Sequence, residues 1–348
     1  MKTRRAIVAI AGLLAVSSSV GFNAVAAQEI TLKIHHLWPP QAMPPTKIVR
    51  PWCEKIQKES GNRLKCQEFP AMQLGGTPPQ LFDQARDGVA DITFTLPGYT
   101  AGRFPIMEVF ELPFMTPNAE AASKAAWEYY EKYALQEFTS VKPLWFNTHD
   151  NGFVHTRERQ VKTLADFKGL KMRAPTRQTN KMLAAFGAAP VSMPVNLVAD
   201  ALSKGTIDGY VLPWEVIPAF KLHELTKFES ETDKSRPALY TATFIFAMNK
   251  AKYDSLPADL KKVIDNNSGL AASGQAGRIW DESAPPARKQ AVDRGNVFHT
   301  IPASELDNWM RAAQPLYEEW VKEMNGKGLN GEQMLKDARA LIAKHAGK

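Results

Sequence analysis

The chain has 348 residues, a formal net charge of +7, 44% hydrophobic residues and only two cysteines. The charge is mild and no Lys/Arg block concentrates it, which argues against a nucleic-acid partner. Two cysteines with no close His pair beyond His35-His36 do not spell a zinc site.

Residues 1–27 have the layout of a secretory signal peptide. Lys2, Arg4 and Arg5 form a basic start, residues 6–16 are an apolar run too short to span a bilayer comfortably, and Ala24-Val25-Ala26-Ala27 supplies small residues for cleavage. Cleavage is expected after Ala27, with Ala26 the alternative, and a retained anchor helix is the competing reading. Removing the three cations lowers the net charge to +4. An exported chain folds in an oxidising compartment, so a Cys53–Cys66 disulfide is expected, with two buried thiols as the alternative.

The remaining chain alternates strand and helix patterns with short Gly/Pro punctuation, the rhythm of a parallel α/β fold. Residues 29–34 read as a strand, ending in His35-His36-Leu37-Trp38. Pro44-Pro45 opens a helix that Gly61 ends; residues 63–69 are a second strand stopped by Pro70. A helix over 80–86 and a strand over 90–95 follow, then a helix over 119–133 and a strand over 141–147. The rhythm stops and restarts near Asp150, which predicts two lobes.

The run from Leu164 to Gly209 is the most informative. Gly169 ends a helical turn, residues 170–174 alternate as a strand, and Pro175 stops it before a helix through Met182 and Leu183. Arg173 therefore falls at the carboxyl end of a strand, where open α/β sheets bind ligands. Further on, 188–193 and 207–212 are strands around a helix over 196–203, and 238–249 is a long apolar β segment. The helix that begins near Ser255 should break or kink at Pro285-Pro286. Helices over 306–324 and 330–345 close the chain.

The order of motifs resembles the substrate-binding proteins of tripartite ATP-independent periplasmic (TRAP) transporters over nearly the whole mature chain. The resemblance is carried by Gln73-Leu-Gly-Gly, Gly88-Val-Ala-Asp91, Phe110-Glu-Leu-Pro-Phe and Asp166-Phe-Lys-Gly-Leu-Lys-Met-Arg-Ala-Pro. Gly187-Ala-Ala-Pro, Ala201-Leu-Ser-Lys-Gly-Thr-Ile-Asp-Gly209 and Asn249-Lys with Leu256-Pro complete it. It implies an α/β fold of two lobes joined by crossing strands and a long helix, with the ligand cleft between them. The expected division is 28–150 plus 243–282 for the first lobe and 151–242 plus 283–348 for the second. It also implies that Arg173 pairs with a ligand carboxylate, for which a planar, permanently charged guanidinium is suited.

Where sugar-acid and sialic-acid members carry polar groups, this chain has Leu96 and Tyr99 after the third strand, Phe153 at the start of the other lobe, and Leu212 followed by Pro213-Trp214. With Trp38, these surround one cation by apolar and aromatic surface, which suits a flat aromatic or otherwise apolar monocarboxylate rather than a polyhydroxylated one. For Leu96 and Phe153, core and cavity are equal alternatives; Trp214 is expected in the cavity because Pro-Trp-Glu is an exposed, turn-forming context. His36 is a candidate hydrogen-bond partner, with a structural role the alternative. The expected partners are a small organic acid and the TRAP membrane permease subunits, with the protein itself a monomer and no cofactor or metal. Competing functions are a sugar-acid or aliphatic hydroxy- or oxo-acid binder of the same class, and a secreted two-lobed hydrolase or lyase. No Gly-x-Ser-x-Gly, Walker or dinucleotide motif supports the last.

Overall fold

A computed structural model describes residues 29–347; the expected signal peptide and its cleavage point lie outside the described residues. The first half builds β1 (Ile30–His36), α1 (Arg50–Glu59), β2 (Leu64–Phe69), α2 (Leu81–Arg86), β3 (Ile92–Thr95), α3 (Ala119–Tyr129) and β4 (Val141–Thr148). The chain then crosses to β5 (Gly152–Thr156), β6 (Lys171–Ala174), α4 (Arg177–Ala185), β7 (Ala189–Ser192), α5 (Val198–Ser203), β8 (Gly209–Pro213) and β9 (Phe228–Thr232). It returns through β10 (Thr243–Asn249), α6 (Lys250–Ser255), α7 (Ala258–Asn266) and the long α8 (Gly269–Arg294). It ends with β11 (Val297–Ile301), α9 (Ala303–Gly326) and α10 (Gly331–His345).

The strands form two mixed sheets, one per lobe. The first has the order β2-β1-β3-β10-β4 and the second β11-β9-β5-β8-β6-β7. In the first, β1 is parallel to β2 and β3, while β10 runs antiparallel to β3 and β4. In the second, β5 is antiparallel to β8 and β9, and β6 is parallel to β7 and β8. Each sheet thus takes a late strand, β10 or β11, so the chain passes between the lobes more than once. β10 is buried along its whole length, as an apolar strand covered on both faces must be.

Two crossing segments run side by side. Gly152 N donates to Tyr240 O at 3.3 Å, Leu239 N to Asn151 Oδ1 at 3.0 Å, and Ala242 N to His149 Nε2 at 2.9 Å. A Cβ on Gly152 would lie 2.0 Å from the Tyr240 ring, so only glycine lets the two crossings approach this closely. Cys53 on α1 is bonded to Cys66 on β2, tying a helix to the strand that follows it.

Three expectations change. The helix over 269–294 is not ended by Pro285-Pro286, and both prolines are exposed. The 238–249 segment is strand only from Thr243, its first part being a crossing. Strands β9 and β11, absent from the pattern reading, pair parallel at the end of the second sheet; their sequences, Phe-Glu-Ser-Glu-Thr and Val-Phe-His-Thr-Ile, show little apolar run. At the C-terminus α10 lies on α3, with Lys344 Nζ 2.9 Å from Glu128 and His345 Nε2 3.0 Å from it.

Candidate functional site

The site begins with how β6 holds Arg173. Its side chain projects between the neighbouring strands, where Nε donates to Met193 O at 2.9 Å, just beyond β7, and Nη1 to Val211 O of β8 at 3.4 Å. These two carbonyls fix the plane of the guanidinium. Nη2 is buried and has no protein partner, and Arg173 as a whole is 0% exposed. Burial lowers its pKa from the ordinary value, and the nearby Tyr99 and Tyr240 hydroxyls act against that fall; a guanidinium remains charged under such pressure.

Arg173 opens onto a narrow cavity between the lobes. Trp38, Leu96 and Tyr99 come from the first lobe, Val195, Leu212 and Val216 from the second, and Tyr240, Phe244 and Trp280 from the returning chain and α8. The aromatics brace one another: Phe244 stacks on Trp280 at 4.9 Å, and Trp38 lies 4.8 Å from Phe94 and 5.7 Å from Phe244. Tyr99 Oη accepts from Val195 N at 3.3 Å, a bond between the two walls.

Besides Tyr99 and Tyr240, two other titratable side chains line the cavity. His149 is fixed as one neutral tautomer: its Nε2 accepts from Ala242 N, so the proton sits on Nδ1, which donates to Asp150 O. Burial first, with Arg173 adding to it, pushes its pKa down to about 4. Glu215 is 5% exposed; burial, then the adjacent Asp150 carboxyl, raises its pKa well above the carboxylate range. Among the described residues lining the cavity, Arg173 is the one basic side chain besides His149. An uncompensated buried cation in an apolar cleft attracts a small anion far more strongly than a surface cation does.

The structure brings together Arg173, Trp38, Leu96, Tyr99 and Leu212 around this cavity and leaves three candidates outside it. Trp214 turns away: its Nε1 donates to Glu231 Oε1 at 2.8 Å and its ring stacks on Phe298 at 5.7 Å. The reason is the turn Trp214–Val216. Leaving the strand there aims Glu215 and Val216 at the cavity and folds the indole back onto the sheet. Phe153 leans on Trp214, with ring centroids 6.3 Å apart. His36 is fully buried, its Nε2 2.9 Å from Glu68 Oε1, and Arg50 Nε donates to the same carboxylate at 2.8 Å; its role is structural. The pattern reading missed Tyr240, Phe244, His149, Trp280 and Glu215 as cavity residues.

Comparison with known proteins decides the class. Residues 34–323 match the model of the bacterial extracellular solute-binding proteins, family 7 (DctP). A TRAP solute-binding protein from Rhodoferax ferrireducens, solved with copurified benzoate, is 53% identical with a TM-score of 0.90, covering 91% of this chain and 99% of that one. The chain belongs to the TRAP solute-binding family.

A marine metagenome TRAP solute-binding protein specific for aromatic acid ligands, in complex with 3-hydroxybenzoate, is 50% identical with a TM-score of 0.89 and the same coverage. A TRAP periplasmic solute-binding protein from Bordetella bronchiseptica with bound (R)- and (S)-mandelate is 28% identical, with a TM-score of 0.84 and coverage of 90% and 99%. A member of this family is a transport binding protein and not an enzyme, which disposes of the hydrolase or lyase reading. Among the described residues there is no helix long and apolar enough to cross a membrane.

Proposed function

We propose that this TRAP solute-binding protein is exported to the periplasm, captures a small aromatic monocarboxylate with Arg173, and delivers it to the membrane permease subunits of its transporter. The carrying observation is Arg173 Nη2, fully buried and without a protein partner at the edge of an aromatic-walled cavity. A carboxylate there gains charge-assisted hydrogen bonds from a guanidinium whose other nitrogens are already fixed. The Tyr240 hydroxyl, also buried without a partner, lies beside Arg173 and adds a neutral donor that the sequence pattern did not disclose. The ring of the ligand then packs among Trp38, Leu96, Leu212 and Phe244, gaining ~25 cal/mol per Å² of apolar surface buried. The aromatic acids held by the two relatives near 50% identity support the same reading.

A sugar acid suits this wall poorly, because each buried hydroxyl without a partner costs ~1–3 kcal/mol. Isothermal titration against benzoate, arylacetates, aryl 2-oxoacids and aldonic acids tests the proposal. Binding is expected for the aromatic acids and not for the aldonic acids; binding of the aldonic acids alone refutes it.

A further inference from the structure

One cavity residue is not used by a simple carboxylate clamp. Both carboxyl oxygens of Glu215 are buried without a protein partner, although the group lies in the wall of an otherwise apolar cavity beside Leu212, Val216 and Trp280. Glu111 and Asp150 each keep one carboxyl oxygen without a partner, but two other buried acids are satisfied within the fold. Glu229, 0% exposed, takes bonds from His155, Thr226 and Asn296. Glu108 takes Arg177 and Gln178. Leaving a buried polar group unpaired costs ~1–3 kcal/mol, so a carboxyl aimed into a ligand cavity reads as one half of a hydrogen bond.

Its position separates it from the clamp. Arg173 sits with Tyr99, Tyr240 and Val195, whereas Glu215 also borders an outer groove lined by Pro39, Met43, Lys47 and Ser283, which Arg173 does not reach. A ligand whose carboxylate is held by Arg173 has Glu215 in the wall of the same cavity. Asp150 is close enough to act on Glu215 electrostatically, and a second carboxylate on the ligand would find no second basic partner besides His149 in the cavity wall. A carboxyl oxygen accepts a hydrogen bond, and a phenolic hydroxyl donates one.

We propose that Glu215 is a specificity-determining residue that reads a hydroxyl on the ring, making the preferred cargo a ring-hydroxylated aromatic monocarboxylate. This rests on the Arg173 clamp of the preceding section. The unpartnered Trp280 Nε1 in the same wall is a further donor for the oxygen of that hydroxyl.

The test is isothermal titration of the wild-type protein with benzoate, the three hydroxybenzoates, their methoxy counterparts and terephthalate, repeated with Glu215→Leu and Glu215→Gln. At least one hydroxybenzoate should bind about 10- to 100-fold more tightly than benzoate, and methylation of its hydroxyl should remove that advantage. Terephthalate should bind more weakly than benzoate. In Glu215→Leu the hydroxy acid should bind no more tightly than benzoate does to the same variant; Glu215→Gln, which keeps an acceptor, should retain part of the preference. The proposal is overturned if wild type binds every hydroxybenzoate no better than benzoate, or if the preference persists in Glu215→Leu. The first of these needs no variant and holds even if Glu215→Leu does not fold. Benzoate binding without a hydroxyl preference sinks this inference alone, whereas failure of all aromatic acids sinks the clamp as well.

Discussion

Replacing Arg173 by Met separates a binding role from a structural one. Burying an unpaired charge costs several kcal/mol, even after relaxation, and in the unliganded protein Arg173 bears that cost with no acidic partner. Removing it relieves the charge but leaves Met193 O and Val211 O without their donors at 2.9 and 3.4 Å, a loss of ~1–3 kcal/mol for each. The two effects oppose each other, so Arg173→Met is expected to melt close to wild type when unliganded. Binding behaves differently: truncating one side of a buried charge pair costs ~2–5 kcal/mol, or roughly 30- to 5,000-fold in Kd. The assay is differential scanning fluorimetry with and without the best aromatic acid, paired with calorimetric titration. Ligand at 100 times its Kd stabilises wild type by about 2.7 kcal/mol, and this shift should vanish in the variant. Arg173→Lys should fall between, since an ammonium keeps the charge and loses the fork. Affinity within about threefold of wild type, or loss of binding together with more than ~3 kcal/mol of unliganded stability, would refute the argument.

Arg177 at the start of α4 donates to buried Glu108 and lies 2.9 Å from Glu323 on α9. Arg177→Met should therefore cost ~3 kcal/mol in urea denaturation, and Glu108→Gln less, because only the first strands a buried charge. Changing Cys53 and Cys66 to Ser together should lower stability by ~3 kcal/mol through the freed loop, and thiol reagents should find the pair only after reduction. His149 is neutral in the fold with a pKa near 4 against an ordinary 6.5, so the unfolded chain binds the extra proton between those values. Its contribution is complete above about pH 6.5 and is lost as the pH falls toward 4, at up to ~1.4 kcal/mol per pH unit. His149→Asn should flatten that part of the stability profile, and an unchanged slope would count against the buried neutral tautomer.

The sequence by itself determined the parts that depend on local chemistry. Gly169, the alternation over 170–174 and Pro175 place Arg173 at a strand end, and the ordered motifs place the chain in its family. Leu96, Tyr99 and Leu212 were legible as one apolar set because they stand where the sugar-acid and sialic-acid members that the chain resembles carry polar groups, and Trp38 because it follows the first strand. The tertiary structure alone decided the rest. Whether Trp214 or Glu215 faces the cavity depends on a three-residue turn that breaks the strand's alternation. Tyr240 and Trp280 enter from a crossing segment and a long helix, more than 60 residues beyond Arg173 in the chain. Periodicity reports which face of an element is buried; it is silent on what lies opposite. Only the meeting of two sheets and α8 could show that Arg173, legible as a lone cation, shares an aromatic-walled cavity with an unpartnered carboxyl, Glu215.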